Sequence, residues 1–161
     1  LLFDLLTGAT ERADALDGHL RFDIGLLSRR LDVAVDVVAD QPRFAWRPIG
    51  LFGASTGAAA ALMTAARRPP AVRSVVSRGG RPDLAGAALS EVEAAVLLIV
   101  GSLDHTVLEL NRDAARQLRV ETVLSVVPGA THLFSEPGAL DEVARLATAW
   151  FARTLVPPLP T

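Results

Sequence analysis

The sequence of 161 residues contains no cysteine, no lysine and no tyrosine, and it does not begin with methionine. Without cysteine the chain has no disulfide framework, no thiolate nucleophile and no cysteine-based zinc site. Only three histidines are present, which leaves little scope for a metal site built from other ligands. We therefore expect neither a metal nor a cofactor.

Long apolar runs and concentrated positive charge are also absent. The longest apolar stretch, residues 94–100, is far shorter than the roughly 18 residues that indicate a membrane span. The 16 arginines are scattered and the formal net charge is −2, which argues against binding to nucleic acid or to an acidic membrane surface. We expect a small-molecule partner. No charged leader with an apolar region and a cleavage site opens the chain, so we expect a cytoplasmic location.

The composition is that of a folded domain. Half of the residues are hydrophobic, 21% are charged and the mean hydropathy is +0.35, which excludes wholesale disorder. The length is near the usual size of a single domain. We predict one globular domain over residues 1–155 and a proline-rich tail over residues 156–161.

Apolar runs and periodicity predict short strands that alternate with helices. The predicted strands cover residues 1–6, 47–52, 73–77, 95–101 and 122–127, and the predicted helices cover 24–38, an alanine-rich run up to 67, 107–118 and 140–150. Residues 7–20 are predicted to form a loop. The strands are apolar throughout, whereas a strand with one wet face would alternate polar and apolar residues. The pattern therefore favours an α/β fold with a doubly wound, mostly parallel sheet of about five strands and helices on both faces.

A Gly-x-Ser-x-Gly pattern occupies residues 53–57, between a predicted strand and a predicted helix. That order of elements is the context of a nucleophile elbow, in which a sharp turn at the carboxyl end of a strand carries a reactive serine. The small neighbours allow backbone segments to approach closely around it. We predict Ser55 as the nucleophile, with a simple glycine-rich turn as the alternative.

A serine hydroxyl needs a base within hydrogen-bond reach, and histidine is the usual choice. His132 follows the strand predicted at residues 122–127. The loop at that strand's carboxyl end is where a doubly wound fold gathers its functional groups. We predict His132 as the base, with a solvated surface histidine as the alternative. For His19 and His105 the surface interpretation is the one we favour.

The base in turn needs a carboxylate to hold its tautomer and to stabilise the imidazolium. Asp104 follows the strand predicted at residues 95–101, and Asp83 follows the strand before it. We favour Asp104, because it gives the serine, acid, histidine order expected of α/β-hydrolases. Asp83 stays open as the rival. Either aspartate could instead be a turn residue that caps local amides.

At these residues the chain resembles the α/β-hydrolase superfamily, and within it the dienelactone-hydrolase-like branch. The resemblance covers nearly the whole chain. It rests on Leu-Phe-Gly-Ala-Ser-Thr-Gly-Ala around Ser55, Val-Ser-Arg-Gly-Gly-Arg-Pro-Asp-Leu from Val76, Leu-Ile-Val-Gly-Ser-Leu-Asp up to Asp104, and Gly-Ala-Thr-His-Leu-Phe around His132. It implies the roles of nucleophile, acid and base for Ser55, Asp104 and His132. Some members of this branch are joined to a phosphoribosyltransferase-type domain, so a fused or associated domain of that type is an expected partner.

The chain departs from this family pattern in two ways. Dienelactone hydrolases proper use a cysteine nucleophile, so Ser55 leaves the substrate open. In such hydrolases one oxyanion donor is the amide after the nucleophile, here Thr56, and the other comes from a loop after an earlier strand. By resemblance residues 1–6 match the strand that follows this loop, so we expect the first three strands and the first helix of the family fold to precede Leu1.

The missing loop has two expected consequences. Loss of one oxyanion donor costs on the order of 10²–10³ in rate, so turnover by this chain alone should be impaired. The edge of the elbow strand should either pair with residues 1–6 or lead the chain to dimerise or aggregate.

The sequence thus predicts a serine hydrolase that acts on a small ester, lactone or related acyl compound through an acyl-enzyme on a Ser-His-Asp triad. Two alternatives stay open, a non-catalytic binding module that retains the hydrolase scaffold and an acyltransferase that uses the same triad. Arg78 and Arg81 flank two glycines at a strand end and could attract an anionic substrate group. Solvated loop arginines are the interpretation we favour for this pair.

Overall fold

A computed structural model describes residues 1–44 and 46–156. Within these residues four strands form one parallel sheet in the order β1-β2-β3-β4. The strands are β1 (Ile49–Ala54), β2 (Val72–Arg78), β3 (Ala95–Gly101) and β4 (Thr122–Val127). The α-helices are α1 (Gly8–Asp17), α2 (Ile24–Ala39), α3 (Thr56–Arg67), α4 (His105–Gln117) and α5 (Ala139–Thr154). Shorter 3-10 segments cover Leu20–Phe22, Pro42–Phe44 and Pro82–Glu91.

The sheet is covered on both faces. Val96 and Leu98 of β3 pack into an apolar cluster with α2, α3 and α4. Leu97 and Ile99, which point to the other face, pack into a second cluster with α5. Both sets of side chains are buried, which explains why this strand is apolar throughout. The doubly wound parallel sheet with helices on both faces is therefore confirmed.

Helix α3 is the most buried of the helices that cover the sheet. Residues 58–62 have no more than 1% of their surface exposed, because α3 lies between the sheet, α2 and the Pro82–Glu91 segment. Its alanines let these neighbours approach closely. The N-terminus of α3, which follows the proposed nucleophile directly, is thus held on several sides.

The prediction of a strand over residues 1–6 is wrong. This segment has no strand structure, and Leu1 and Leu2 are 89% and 99% exposed. Along the described residues β1 pairs with β2 alone, so the sheet has four strands rather than about five. An apolar run becomes a strand only where its N–H and C=O groups pair with those of a neighbouring strand. Here an open groove of about 530 Å³ lies between the segment and β1.

The prediction of a loop over residues 7–20 is also wrong, because this stretch contains helix α1. Thr7 caps the helix by accepting a hydrogen bond from the amide of Thr10, and Gly18 ends it with a φ of 72°. Asp14 is buried and accepts a 2.7 Å hydrogen bond from Arg21. The inward face of α1 is therefore held by an ion pair and leaves no apolar periodicity in the sequence.

The two tryptophans lie in opposite environments. Trp150 of α5 is 5% exposed and belongs to the same apolar cluster as Phe134. Trp46, which precedes β1, is 99% exposed. The difference follows from position, because α5 covers a face of the sheet and the segment before β1 packs into neither cluster.

The C-terminal tail predicted over residues 156–161 lies outside the described residues, except for Val156. Among the helices of the described ranges, none combines the length and the apolar character that a membrane crossing requires. The same residues contain no cluster of three or more potential metal ligands.

Candidate active site

Ser55 occupies the turn between β1 and α3. Its backbone has a φ of 50° and a ψ of −122°, which is strained for a residue that carries a Cβ. Two hydrogen bonds to the end of β2 and the residues that follow it hold this turn in place. The Ser55 amide donates to the carbonyl of Arg78 over 3.2 Å, and the Arg81 amide donates to the carbonyl of Ser55 over 3.1 Å. A strained turn at a strand's carboxyl end is the backbone geometry of a nucleophile elbow.

Gly53 allows this turn to close. A Cβ at this position would lie 2.5 Å from the carbonyl oxygen of Gly57 and 2.7 Å from the backbone of Ala58. No side chain fits at such a distance. The first glycine of the Gly-x-Ser-x-Gly pattern is therefore required by the close passage of β1 beneath the first turn of α3.

The Thr56 amide is the first N–H of α3. Amides in the first turn of a helix have no intrahelical acceptor, and the helix dipole adds positive potential there. Among the described residues the Thr56 amide has no other acceptor. Its N–H is thus available for a negatively charged oxygen beside Ser55.

Asp104 and His132 lie together. Oδ2 of Asp104 is 2.6 Å from Nδ1 of His132. The Asp104 side chain is 13% exposed, whereas the imidazole is 41% exposed. Asp104 occupies the N-cap position of α4, but its side chain bonds to no amide of that helix. The alternative of an aspartate that caps local amides therefore does not describe Asp104.

Asp83, the rival acid, lies against a different partner. Its carboxylate accepts two hydrogen bonds from the Arg81 guanidinium, at 2.9 and 2.7 Å. This pairing raises the pKa of Arg81 above its ordinary value. Asp83 is thus engaged by Arg81, and the carboxylate beside His132 is that of Asp104.

The other two histidines lie elsewhere. His19 is exposed and pairs with Asp17, which raises the pKa of its imidazole above the ordinary value. His105 is exposed at the first position of α4. The pair of His19 and Asp17 resembles that of His132 and Asp104 in its contact at Nδ1, but the Asp17 carboxylate is 61% exposed whereas that of Asp104 is 13% exposed. The exposure of His19 and His105 agrees with the surface interpretation.

Residues 78–81, the last residue of β2 and the three that follow it, lie between the elbow and His132. On one side they bond to the backbone of Ser55, as described above. On the other, a Cβ at Gly79 would lie 3.2 Å from the carbonyl oxygen of His132 and 3.5 Å from its Nδ1. No hydrogen bond joins the Ser55 hydroxyl to the imidazole in the described part of the chain. Such contacts are often long in unliganded sites and tighten with substrate bound.

Asn111 of α4 holds residues 78–81 in place by a hydrogen bond. The sequence alone did not predict this role. Its side chain is fully buried in α4. The amide donates to the carbonyl of Gly80 over 2.9 Å and to that of Val107 over 2.7 Å. The helix that begins beside Asp104 is thereby tied to the segment beside Ser55. The one signal in the sequence is a polar residue on the apolar face of α4.

The histidine loop, residues 128–136, is held at three points. The Leu103 amide donates to Ala130 over 3.0 Å, which joins this loop to the one that carries Asp104. The Thr131 hydroxyl donates to Glu136 over 2.6 Å, and this bond holds the pKa of Glu136 below its ordinary value. Phe134 is buried beneath the loop. These contacts fix the position of the loop that carries His132.

The groove between residues 2–6 and β1 runs along the elbow. Its lining includes Phe52, Thr56, Gly57 and Arg78. It is open to solvent and mostly apolar, with arginine and acidic side chains among its walls. The groove is lined by the chain neighbours of Ser55, Ala54 and Thr56, whereas Ser55 and His132 themselves do not line it.

A model of the dienelactone hydrolase family matches residues 7–155 of this chain. A provisionally named phosphoribosyl transferase of Mycobacterium tuberculosis is 54% identical over all 161 residues, and the same match occurs in two strains. The chain spans 35% of the length of these curated relatives.

Solved structures show the same likeness. The dienelactone hydrolase of Anabaena variabilis is 52% identical, with a TM-score of 0.91 over 95% of this chain and 71% of that chain. A dienelactone hydrolase-like promiscuous phosphotriesterase from metagenomic libraries is 19% identical, with a TM-score of 0.71 over 89% of this chain and 67% of that chain. At that lower identity the likeness shows the fold alone.

Proposed function

Because this chain belongs to the dienelactone hydrolase family, we propose that it is a serine hydrolase that cleaves a small ester, lactone or related acyl compound. Ser55 is the nucleophile, His132 the base and Asp104 the acid of the triad. The acyl group is carried by Ser55 between the two halves of the reaction. Cysteine, the nucleophile of dienelactone hydrolases proper, is absent from the chain, so the substrate need not be a dienelactone.

The observation that carries this proposal is the 2.6 Å contact between Asp104 and Nδ1 of His132. A carboxylate at that distance holds the proton of the neutral imidazole on Nδ1. The lone pair of Nε2 is then free to accept a proton from a hydroxyl. The same carboxylate stabilises the imidazolium that forms when the proton moves.

In the first half of the reaction His132 takes the proton of the Ser55 hydroxyl as the oxygen attacks the acyl carbon. The carbonyl oxygen becomes negative, and the Thr56 amide at the N-terminus of α3 stabilises it. When the tetrahedral intermediate collapses, the bond to the leaving group breaks. His132 gives its proton to that group.

In the second half a water molecule attacks the acyl-enzyme. His132 now accepts a proton from the water, and the Ser55 oxygen leaves the acyl carbon and takes that proton back. The half-exposed imidazole supports this step, because solvent reaches the group that accepts the proton of the water. Transfer to another acceptor would use the same groups.

A phosphoribosyltransferase-type domain is the partner that we propose for this hydrolase unit. The relatives with phosphoribosyl transferase in their name match this chain over 35% of their length. We assign the activity in that name to the part of the relative that this chain does not match. A purified full-length relative, cut between the two parts, would tell which part carries which activity.

The experiment that tests the hydrolase proposal is covalent labelling with a fluorophosphonate probe. Such a probe reacts with a serine that is both activated and accessible. We expect the label on the peptide that contains Ser55, and loss of the label in the Ser55→Ala variant. Mass spectrometry of the digested protein identifies the labelled residue.

Ser90→Ala is the matched control, because Ser90 is exposed and, among the residues that the structure describes, its hydroxyl bonds only to the carbonyl of Ala87. This variant should label like the original chain. Absence of labelling under conditions that label a known serine hydrolase would favour the non-catalytic module. Labelling together with transfer to an added alcohol, but without hydrolysis, would favour the acyltransferase.

A further inference from the structure

Asn111 is a buried polar residue that joins two parts of the proposed site. It lies about two turns along α4 from Asp104, the residue at the N-cap of that helix. Its side-chain amide donates to the carbonyl of Gly80 over 2.9 Å and to that of Val107 over 2.7 Å. The bond to Val107 stays within α4, whereas the bond to Gly80 leaves it. Only the bond to Gly80 can therefore fix one part of the site against the other.

The surroundings of Gly80 transmit any movement of this residue to the turn that carries Ser55. A Cβ at Gly80 would overlap the Ser77 hydroxyl and lie 2.6 Å from the Cβ of Ala58, in the first turn of α3. The next residue, Arg81, donates its amide to the carbonyl of Ser55 over 3.1 Å. Atoms packed this closely shift together rather than deform. A displacement of Gly80 thus displaces the Ser55 turn.

The turn at Ser55 needs constraints of this kind. Its φ of 50° is strained for a residue with a Cβ, and such a backbone persists only where the surrounding structure holds it. Along the described residues the bond from Asn111 is the only hydrogen bond that the Gly80 carbonyl accepts. Loss of that bond would relax one of the constraints on the elbow.

The other half of the Asn111 amide argues against a purely stabilising role. Its Oδ1 is buried and accepts no hydrogen bond from the residues that the structure describes. A buried oxygen without a donor lowers stability. Leucine has the same branching and would leave no unpaired oxygen on the apolar face of α4. The presence of asparagine is therefore explained by what its N–H groups hold.

We propose that Asn111 is a positioning residue, which sets the distance between Ser55 and His132. Asp104 holds His132 at the start of α4, and Asn111 ties the elbow to the same helix. The helix is thus a common support for both partners of the proton transfer. This inference rests on the hydrolase function proposed above, and it adds a residue that touches neither the substrate nor the reacting atoms.

The variant that tests the proposal is Asn111→Leu, which keeps the branched shape and removes both donors. We expect kcat for para-nitrophenyl acetate to fall by about 10-fold to 100-fold, the effect of a displacement of about 1 Å between reacting groups. KM should stay within about twofold, because acylation and deacylation use the same two groups and slow together. Titration with the fluorophosphonate probe counts the competent sites, so misfolded chains do not lower the measured kcat.

Thr64→Val is the matched control. Thr64 is fully buried in α3, and its hydroxyl donates to the carbonyl of Ser28 in α2 over 3.3 Å. This change also removes a buried bond from a helix side chain to the backbone of a neighbouring element, but away from the elbow. Its kcat per competent site should equal that of the original chain. An unchanged kcat in Asn111→Leu, or an equal loss in Thr64→Val, would overturn the proposal.

Asn111→Ser separates the two bonds of the side chain. A serine hydroxyl can still donate to the Val107 carbonyl within α4, but it is one bond too short to reach Gly80. We therefore expect kcat to fall as far as in Asn111→Leu. Full activity in the serine variant would contradict the role given to the bond with Gly80.

Amide hydrogen exchange, measured by NMR, separates this proposal from the hydrolase function. In Asn111→Leu the Arg81 amide should exchange about 10-fold faster or more relative to the amides of β3, and in Thr64→Val it should not. This readout needs no substrate. Unchanged protection of the Arg81 amide would contradict the role of Asn111 whatever the turnover. Faster exchange without any labelling of Ser55 would support the structural link and contradict the hydrolase function alone.

Discussion

At the scale of one residue, Asp104 occupies a helix N-cap position but does not act as a cap. An aspartate at an N-cap that accepts a helix amide contributes about 1 kcal/mol. Here the residue occupies that position at the start of α4, yet its carboxylate turns to His132 instead. The helix thus begins without its usual side-chain cap, and a mutation at Asp104 removes no capping bond.

For Asp104→Asn we expect a large loss of activity with little change in stability. The asparagine amide can offer an N–H to Nδ1, which favours the wrong tautomer and leaves Nε2 protonated. We expect kcat for para-nitrophenyl acetate to fall on the order of 10³-fold or more. Steady-state kinetics and thermal unfolding of the same preparation measure the two effects.

Asp83→Asn serves as the comparison for this prediction. It removes a partly exposed ion pair with Arg81 and leaves the contact between Asp104 and His132 intact. Its loss of activity should be far smaller. An equal loss of activity in the two variants would contradict the assignment of Asp104 as the acid of the triad.

Single residues were predictable from the sequence where a motif and an element order coincided. The Gly-x-Ser-x-Gly pattern located the turn at Ser55, and the strand before His132 placed that residue at the same edge of the sheet. Asn111 was not predictable in this way. Its bond to Gly80 crosses 31 positions of the chain, and no local pattern records such a contact.

At the scale of elements, the two glycines of the elbow pattern are alike in sequence and different in the fold. A Cβ at Gly53 would lie 2.5 Å from a backbone oxygen, whereas a Cβ at Gly57 would meet nothing closer than 3.9 Å, a carbon of Leu5. Gly57 is also part of α3, where alanine is the better helix former. Only the first glycine is required by packing.

We therefore expect Gly53→Ala to lower the free energy of unfolding by about 1–3 kcal/mol, as overpacking usually does. Gly57→Ala should be neutral, or raise it by as much as about 1 kcal/mol. Urea denaturation of both variants measures the difference. Equal destabilisation by the two changes would contradict the packing argument at the elbow.

The elements that follow residue 23 were largely predictable. Because the sheet is buried on both faces, its strands are apolar throughout and its helices each carry an apolar stripe. β3 and β4 have the predicted bounds, residues 95–101 and 122–127. The N-terminal region was not predictable for two reasons. Residues 1–6 are apolar but are separated from the free edge of β1 by the groove. Helix α1 is helical without an apolar stripe. In both cases the local pattern and the tertiary environment disagree.

At the scale of the whole molecule, the open edge of β1 is the feature from which we expect copies of the chain to associate. Along the described residues β1 pairs with β2 alone, and Phe52 on this strand is 50% exposed. An exposed apolar edge of this kind invites pairing with another chain. The expectation that residues 1–6 shift to cover it is wrong, so association between copies of the chain is the remaining expectation.

We expect the 161-residue chain to self-associate with rising concentration, and Phe52→Lys to shift it towards monomer, because a charge on an edge strand opposes pairing. Val33→Lys is the control. Val33 is exposed on α2, so the variant carries the same added charge on a different surface. Sedimentation velocity over a range of concentrations measures the distribution. A chain that stays monomeric throughout, or an equal effect of the two lysines, would exclude β1 as the associating edge.

The contrast between the two tryptophans gives the molecule an optical signal of its own. Tyrosine is absent, so intrinsic ultraviolet emission comes almost entirely from Trp46 and Trp150. Trp150 shares its cluster with Phe134 beneath the histidine loop, and its shielded ring emits towards the blue, while the solvated Trp46 emits towards the red. A change in packing under His132 therefore alters one component of the spectrum against the other, and the site can be followed without an added dye.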